Sequence, residues 1–308
     1  MSSMIYKKKT PLLFFLIPAF TFLIVYLYYP FIQNIINTFM HIGGLGRTAE
    51  GLNTPWYANY KELFTDPDLR TALKNTLILT VFTVVFQVGI ALILALLVDS
   101  IRVGSQVFRT VYFFPIVISA TALGLMFNLM FLYKGGMINQ LLLNMDLLEY
   151  EVKANGRMIV DWIDWKDKNH FLMTMFMPVI WQYVGFYFVI IITGLNNIPE
   201  DIYEAAALDG AFGLKKIWYI TLPMLRNVLC TCLVLAITGA LKVFDLPWVM
   251  FGAGMPQNMG WLTGTYMYDQ TFNKMNVDYG STIAVLIVVL GVVLSNVANR
   301  VFKPTEDY

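Results

Sequence analysis

Residues 204 to 223 read Glu-Ala-Ala-Ala-Leu-Asp-Gly-Ala-Phe-Gly-Leu-Lys-Lys-Ile-Trp-Tyr-Ile-Thr-Leu-Pro, an acidic-then-basic stretch of small and helix-forming residues between two long apolar runs. What such residues do best is dock. Small side chains let a backbone approach a partner closely, and Gly210 permits a turn that a larger residue would obstruct. A second set, Trp181, Gln182, Tyr183, Phe186 and Tyr187, places aromatic faces beside one amide. Rings cover the C–H faces of a sugar while amides and phenols bond its hydroxyls, although core packing explains each residue singly. Lys242 and Asp245 are charges near the interior of an apolar run, where a charge costs about 2.5 to 3.5 kcal/mol at mid-bilayer. Three residues apart, they share one helix face. A mutual ion pair, snorkelling to the surface, or a gating role on a pathway each accounts for them.

These sets sit in a chain made for lipid. It is 58% hydrophobic and 13% charged, with a mean hydropathy of +0.63, against about 45 to 50% and 25% in soluble domains. A net charge of +1 offers no field for nucleic acid. Cys230 and Cys232, two apart on a helix, face different sides and read as inert thiols. His41 and His170 stand alone at span edges and suggest no metal site.

Six helix-length apolar spans can be drawn: 11–38, 75–98, 110–133, 171–195, 222–243 and 279–299. Lys74 and Asp99 bracket the second, Arg109 and Lys134 the third. The first runs too long for a signal peptide and carries Tyr26, Tyr28, Tyr29, Pro30 and Phe31 where a small-residue cleavage site would be, so it reads as a retained helix. Both termini and the stretch around 204 to 223 then share the cytoplasmic side. Lys and Arg tie at ten on each side, but the inside ten fall in 63 residues and the outside ten in 108. The triplet Lys7, Lys8 and Lys9 breaks the tie in the same direction. Trp56, Tyr57, Tyr60, Trp162, Trp165 and Trp261 fall in outer loops, as an interfacial belt or as a surface for an extracytoplasmic partner.

Between the fourth and fifth spans, Asn197, Ile198 and Pro199 end one helix, and Glu200 and Asp201 occupy the first turn of the next, where carboxylates favour the positive helix end. A second short helix over 214–219 carries Lys215 and Lys216 before Leu222 and Pro223 re-enter the bilayer. An amphipathic helix in the headgroup layer would account for Trp218 and Tyr219 as well as a docking knob does.

The spacing of this hairpin resembles the EAA motif of permease subunits of ATP-binding-cassette importers: Glu204-Ala205-Ala206, three residues, Gly210, nine residues, Ile220, one residue, Leu222-Pro223. Gly194-Leu195, Ile198-Pro199, Tyr203 to Ala211, Phe244-Asp245, Gly252 to Pro256 and Tyr279-Gly280-Ser281 are similar to the carbohydrate-uptake branch that includes maltose and glycerol-3-phosphate permeases. Met255 interrupts that branch's Gly-Gly-Pro element, and Asn227 stands where many relatives have proline. The resemblance implies one all-α transmembrane permease domain over 1–308, with a core at 70–302, six membrane-spanning helices and a cytoplasmic coupling loop at 199–223, of the first importer type.

It further implies that Glu204, Ala205, Ala206, Asp209, Gly210, Ile220, Leu222 and Pro223 couple to an ATPase subunit. Carried across without gaps, the branch's sugar-contact positions fall on Val179, Gln182, Tyr183, Phe186, Ala236, Gly239, Ala240 and Val243; on the second helix Thr238 and Lys242 offer the polar groups that those positions lack. Implied partners are a second related permease, two ATPases that bind ATP and Mg²⁺, a solute-binding protein and a sugar. This chain has no phosphate-binding loop and would bind no cofactor itself. A phosphorylated polyol is the alternative cargo. A secondary transporter or channel would couple through intramembrane acidic groups, of which only Asp245 is present, and no nucleophile-base pair suggests a membrane enzyme.

Overall fold

The computed structural model describes residues 9–101, 104–152, 158–252 and 259–302. Lys7, Lys8, Arg102, Lys303 and the Gly254-Met255-Pro256 portion of the interrupted element lie outside the described residues.

Among the described residues the chain is all-α apart from two small antiparallel strand pairs. In chain order its helices are α1 (Phe14–Asn37), α2 (Ala58–Thr65), α3 (Pro67–Asp99), α4 (Ser105–Val117), α5 (Ala120–Met130) and α6 (Met137–Asn144). Then come α7 (Phe171–Asn196), α8 (Glu200–Leu208), α9 (Leu214–Lys216), α10 (Arg226–Leu241), α11 (Asp245–Phe251), α12 (Thr263–Tyr268) and α13 (Val277–Phe302). Strands β1 (Met40–His41) and β2 (Gly51–Leu52) pair, as do β3 (Tyr150–Val152) and β4 (Met158–Val160). Among the described residues, α1, α3, α7, α13 and the stretch Arg226–Phe251 are each long and apolar enough to cross a membrane. A sixth crossing is reached if α4 and α5, bent by 93° at their junction, are taken as one.

Several expected boundaries move for identifiable reasons. The second span begins at Pro67 rather than 75, because Pro67 and Asp68 supply first-turn chemistry. Lys74 is therefore inside the helix. The third is no straight helix. Pro115 lies near the end of α4, Ile118 is extended, and Ser119 caps α5 by accepting the Ala122 amide at 3.2 Å. The fifth begins at Arg226 rather than 222 and breaks after Leu241. Pro247, in the first turn of α11, cannot continue α10 because its ring would strike the Val243 carbonyl four residues back. Thr263 Oγ1 donates to the terminal Leu241 carbonyl at 2.9 Å, and its amide donates to Thr76 Oγ1 at 2.9 Å. Gly264 makes room for the break, since a Cβ there would stand 2.7 Å from the Val243 carbonyl oxygen.

The residues divide into two compact units, Met1–Asp66 with Met267–Leu286, and Pro67–Tyr266 with Ile287–Tyr308. Within the first, Asn59 donates to the Thr38 carbonyl at 3.1 Å, Asn34 to that of Ser281 at 3.4 Å, and Tyr279 Oη to Asp66 Oδ2 at 2.6 Å. His41 lies 3.8 Å from both Glu50 and Asp278. Glu62 is held above the ordinary carboxyl range by burial, and further by the charges of Asp66 and Asp278.

In the second unit α7 is the spine. Phe188, Ile191 and Ile192 are fully buried with Ala91 and Ala95 of α3, and with Leu225, Cys232 and Ala236. Both cysteines are free and buried. Of the outer-loop aromatics, Trp261 is 3% exposed and Trp165 Nε1 donates to Asn139 Oδ1 at 3.0 Å, so these two are packed rather than part of a belt, while Trp56 and Tyr57 stay exposed. Helices in lipid gain by close van der Waals approach, which small residues allow. At Gly185 the approach is extreme: a Cβ would overlap the Tyr112 carbonyl of α4.

Gly185→Ala is therefore expected to cost at least about 1 to 3 kcal/mol and to lower the amount of folded protein in membranes several-fold; parental levels would contradict the α4–α7 contact. For Glu62 the folded-state pKa is raised, so folding takes up a proton and stability falls as pH climbs from 4.5 through the raised value. Glu62→Gln removes that loss. Its melting temperature should lie about 1 to 3 °C above the parent's at neutral pH and converge with it near pH 4.5, by scanning fluorimetry.

Candidate functional site: a cavity at two helix breaks

A cavity of about 720 Å³ lies in the second unit, within the ~300 to 1,000 Å³ range of small-molecule sites. All nine residues expected on a path line it: Val179, Gln182, Tyr183 and Phe186 from α7, Gly239 and Ala240 from α10, and Lys242, Val243 and Asp245 from the break beyond. Val179 and Ala240, each 2% exposed, offer little more than an edge; Ala236, also expected as a contact, is 1% exposed. The other walls are Thr83 and Gln87, on a π-helical stretch of α3, and Ile116 to Ala120 at the α4–α5 bend. Both helix breaks therefore face the same space. Irregular backbone at membrane depth is tolerated where it lines a cavity, because its free amides and carbonyls then have a polar neighbour.

Gln182 is the distinctive wall residue. It is only 7% exposed, yet its amide has no hydrogen-bond partner among the described residues. Gln87, by contrast, is spent on structure, its Nε2 donating to the Val179 carbonyl at 2.9 Å and tying α3 to α7. Lys242 and Asp245 do not share a helix face. Lys242 ends α10 and Asp245 opens α11; both are exposed, and no ion pair joins them among the described residues. A break between them, set by Pro247, replaces the continuous helix that the spacing suggested.

The hairpin stands at the other end of α7. Helix α8 closes through a glycine cap: Ala211 N donates to the Ala206 carbonyl at 2.8 Å and Gly210 N to that of Ala207 at 3.1 Å, with Gly210 at φ +77°. This pairing needs a left-handed residue after the helix, so the motif's glycine is a helix stop. Gly213, at φ +56°, completes the turn into α9, which runs on through π-helical Ile217–Thr221 to Met224. Lys216 Nζ stands 4.5 Å from the Tyr203 ring centroid and joins the two limbs. Ala206 is buried, Ile220 and Leu222 half-buried, and Glu204, Ala205, Asp209, Gly210 and Pro223 exposed. The tip also presents Leu208, Phe212 and Leu214, at 90%, 65% and 73% exposure.

The family of binding-protein-dependent transport system inner membrane components matches residues 87–307. This chain belongs to that family. The inner membrane component is 31% identical over 308 residues, 99% of its length and 100% of the relative's, to the probable ABC transporter permease protein YurN of Bacillus subtilis (strain 168). It is 32% identical over 291 residues to the osmoprotective compounds uptake permease protein GgtC of Synechocystis sp., covering 94% of this chain and 98% of that one. Its fold is similar to a bacterial ABC transporter involved in the import of the acidic polysaccharide alginate, with a TM-score of 0.78, 19% identity and 97% of each chain covered. As such a component, the protein is a multi-pass membrane subunit of a transport system and not itself an enzyme.

Sequence reasoning missed Thr83, Gln87 and Ser119 as wall residues and the apolar tip of the hairpin. A signal existed for two of them: Gln87 is a lone amide in an apolar run, and Ser119 precedes a helix-forming stretch as a cap does. Replacing Gln182 or Tyr183 by Ala is expected to raise the solute concentration needed for half-maximal stimulation of the complex's ATP hydrolysis by about 5- to 10-fold, the worth of one hydrogen bond. An unchanged titration in both variants would remove them from the site.

Proposed function

We propose that this component forms half of the translocation path of an ATP-driven importer for an oligosaccharide or similar polyhydroxylated solute. The observation that carries the reading is the cavity itself, where Gln182 and Tyr183 stand beside residues of two helix breaks. Relatives named for arabino-oligosaccharide and multiple-sugar transport, 30% and 29% identical, point to the same class of cargo. The second reading, a phosphorylated polyol, is favoured by the exposed ammonium of Lys242 at the cavity wall.

In this reading both units work as one permease domain over 1–308, with its core at 70–302, in the cytoplasmic membrane with both termini inside. A second related permease supplies the other half of the path, and an extracytoplasmic binding protein delivers the solute. Two ATPase subunits bind ATP and Mg²⁺. The loop at 199–223 seats in an ATPase cleft through Glu204, Ala205, Asp209 and Gly210, with Ile220, Leu222 and Pro223 holding its second limb. Closure of the ATPases then swings the two permeases between inward-open and outward-open states.

The purified complex should hydrolyse ATP faster with a binding protein loaded from a panel of oligosaccharides than with one loaded from sugar phosphates; the reverse order favours the second reading. A Cβ at Gly210 meets nothing within 4 Å, so Gly210→Asp keeps the fold apart from the strain of its left-handed backbone. It is expected to insert normally and to lose ATPase association about tenfold, whereas Gly210→Asn, which tolerates that backbone and adds no charge, loses less. Full association with both variants would remove the hairpin from the coupling role.

A further inference from the structure

The two helices that begin at the cavity's breaks, α5 and α11, pack on each other: a Cβ on Gly124 of α5 would stand 2.9 Å from the Val249 Cβ of α11. A third element reaches both. Lys166, five residues before α7, places its Nζ 2.7 Å from Asn128 Oδ1 on α5 and 3.3 Å from the Met250 carbonyl near the end of α11. Asn128 Nδ2 in turn donates to the Val249 carbonyl at 3.4 Å, and the ammonium stands 5.7 Å from the Phe251 ring centroid. A cation here meets the negative end of α11, where helix carbonyls lack partners.

The loop carrying Lys166 is itself anchored. Fully buried Asn139 donates to the Tyr133 and Ile163 carbonyls at 2.9 and 3.0 Å and accepts from Trp165 Nε1 at 3.0 Å. The Trp165 carbonyl accepts from Thr174 Oγ1 of α7 at 2.7 Å. On the other side of Lys166, Asp167 Oδ1 accepts the His170 amide at 2.8 Å at the start of α7. Burial pushes the Lys166 ammonium below the usual lysine range, a cost borne by a group with fixed acceptors. Nothing in the coupling motif or the cavity lining accounts for it.

We propose that Lys166 is a positioning residue for transport, a clasp that makes α5 and α11 one rigid roof and holds it closed over the cavity at the end opposite the hairpin. The inference rests on the proposed reading of the cavity as a path and of the hairpin as cytoplasmic. Because each roof helix starts at a break lining the cavity, losing the clasp frees two walls at once.

The test uses the whole complex in intact cells, with a membrane-impermeant maleimide as the probe and Ile118→Cys, at the α4–α5 break, as reporter. Lys166→Met should raise the labelling rate of the reporter from outside about fivefold or more, and Lys166→Arg, which keeps the charge, should stay near the parent. Asn128→Leu, removing the other half of the clasp, should match Lys166→Met, and serves if that variant does not reach the membrane. A Gly124→Cys/Val249→Cys pair starts from a Cβ separation of 2.9 Å and needs the two helices to part by about 0.6 Å to reach the ~3.5 to 4.5 Å of a disulfide. Once oxidised in the Lys166→Met background, it should bring labelling back down, a redox-dependent rescue that lost stability alone would not show. Parental labelling in both clasp variants overturns the proposal, and so does an oxidised pair that leaves labelling high. A Ser100→Cys control, exposed on the hairpin's side and outside the coupling loop, should label only after permeabilisation; labelling from outside would instead overturn the orientation.

Discussion

A backbone amide or carbonyl that lacks a partner in hydrocarbon costs several kcal/mol, and the design of this protein follows from where it lets that happen. Most of the chain avoids the cost by being helix. At two interruptions within the spans, after Val117 and after Leu241, side chains take up freed groups, and residues of both line the cavity. The Leu241 carbonyl is taken by Thr263, whose own amide is held by Thr76. The amide of Ala122 is taken by Ser119. Residues of both interruptions line one cavity of about 720 Å³.

The same economy explains the glycines that matter. Gly185 lets α7 lie on the backbone of α4, Gly124 lets α5 lie against Val249, and Gly264 admits the Val243 carbonyl. Each removes a side chain where lipid gives no hydrophobic gain and only closer contact does. Gly210 works differently. It lies in open space and is required by its left-handed backbone, which ends α8 and turns the chain into α9.

Within the second unit, α7 links the loop of Lys166 to the hairpin. Helix α7, 26 residues and about 39 Å long, begins beside the anchored loop of Lys166, passes Gln182 and Tyr183 at the cavity, and ends three residues before Pro199, which leads into α8. A displacement at the hairpin therefore has a stiff element along which to reach the cavity wall.

By itself the sequence determined the class of the protein. Apolar runs of helix length, capping residues around Pro199 and the fixed spacing from Glu204 to Pro223 are local signals, and local signals survive without a fold. The resemblance, together with the charges of Lys242 and Asp245 in an apolar run, also drew up the nine wall residues before any geometry was known. Only the tertiary structure decided that these nine face one space, that Gln182 has no hydrogen-bond partner among the described residues while Gln87 has one, and that Lys242 and Asp245 lie on either side of a break. Pro247, just beyond Asp245, was visible in the sequence, but in a membrane helix a proline kinks, breaks or is absorbed according to what its neighbours can bond. Those neighbours are Thr76, Thr263 and Gly264, and residues up to 187 positions apart in the chain meet only once it is folded.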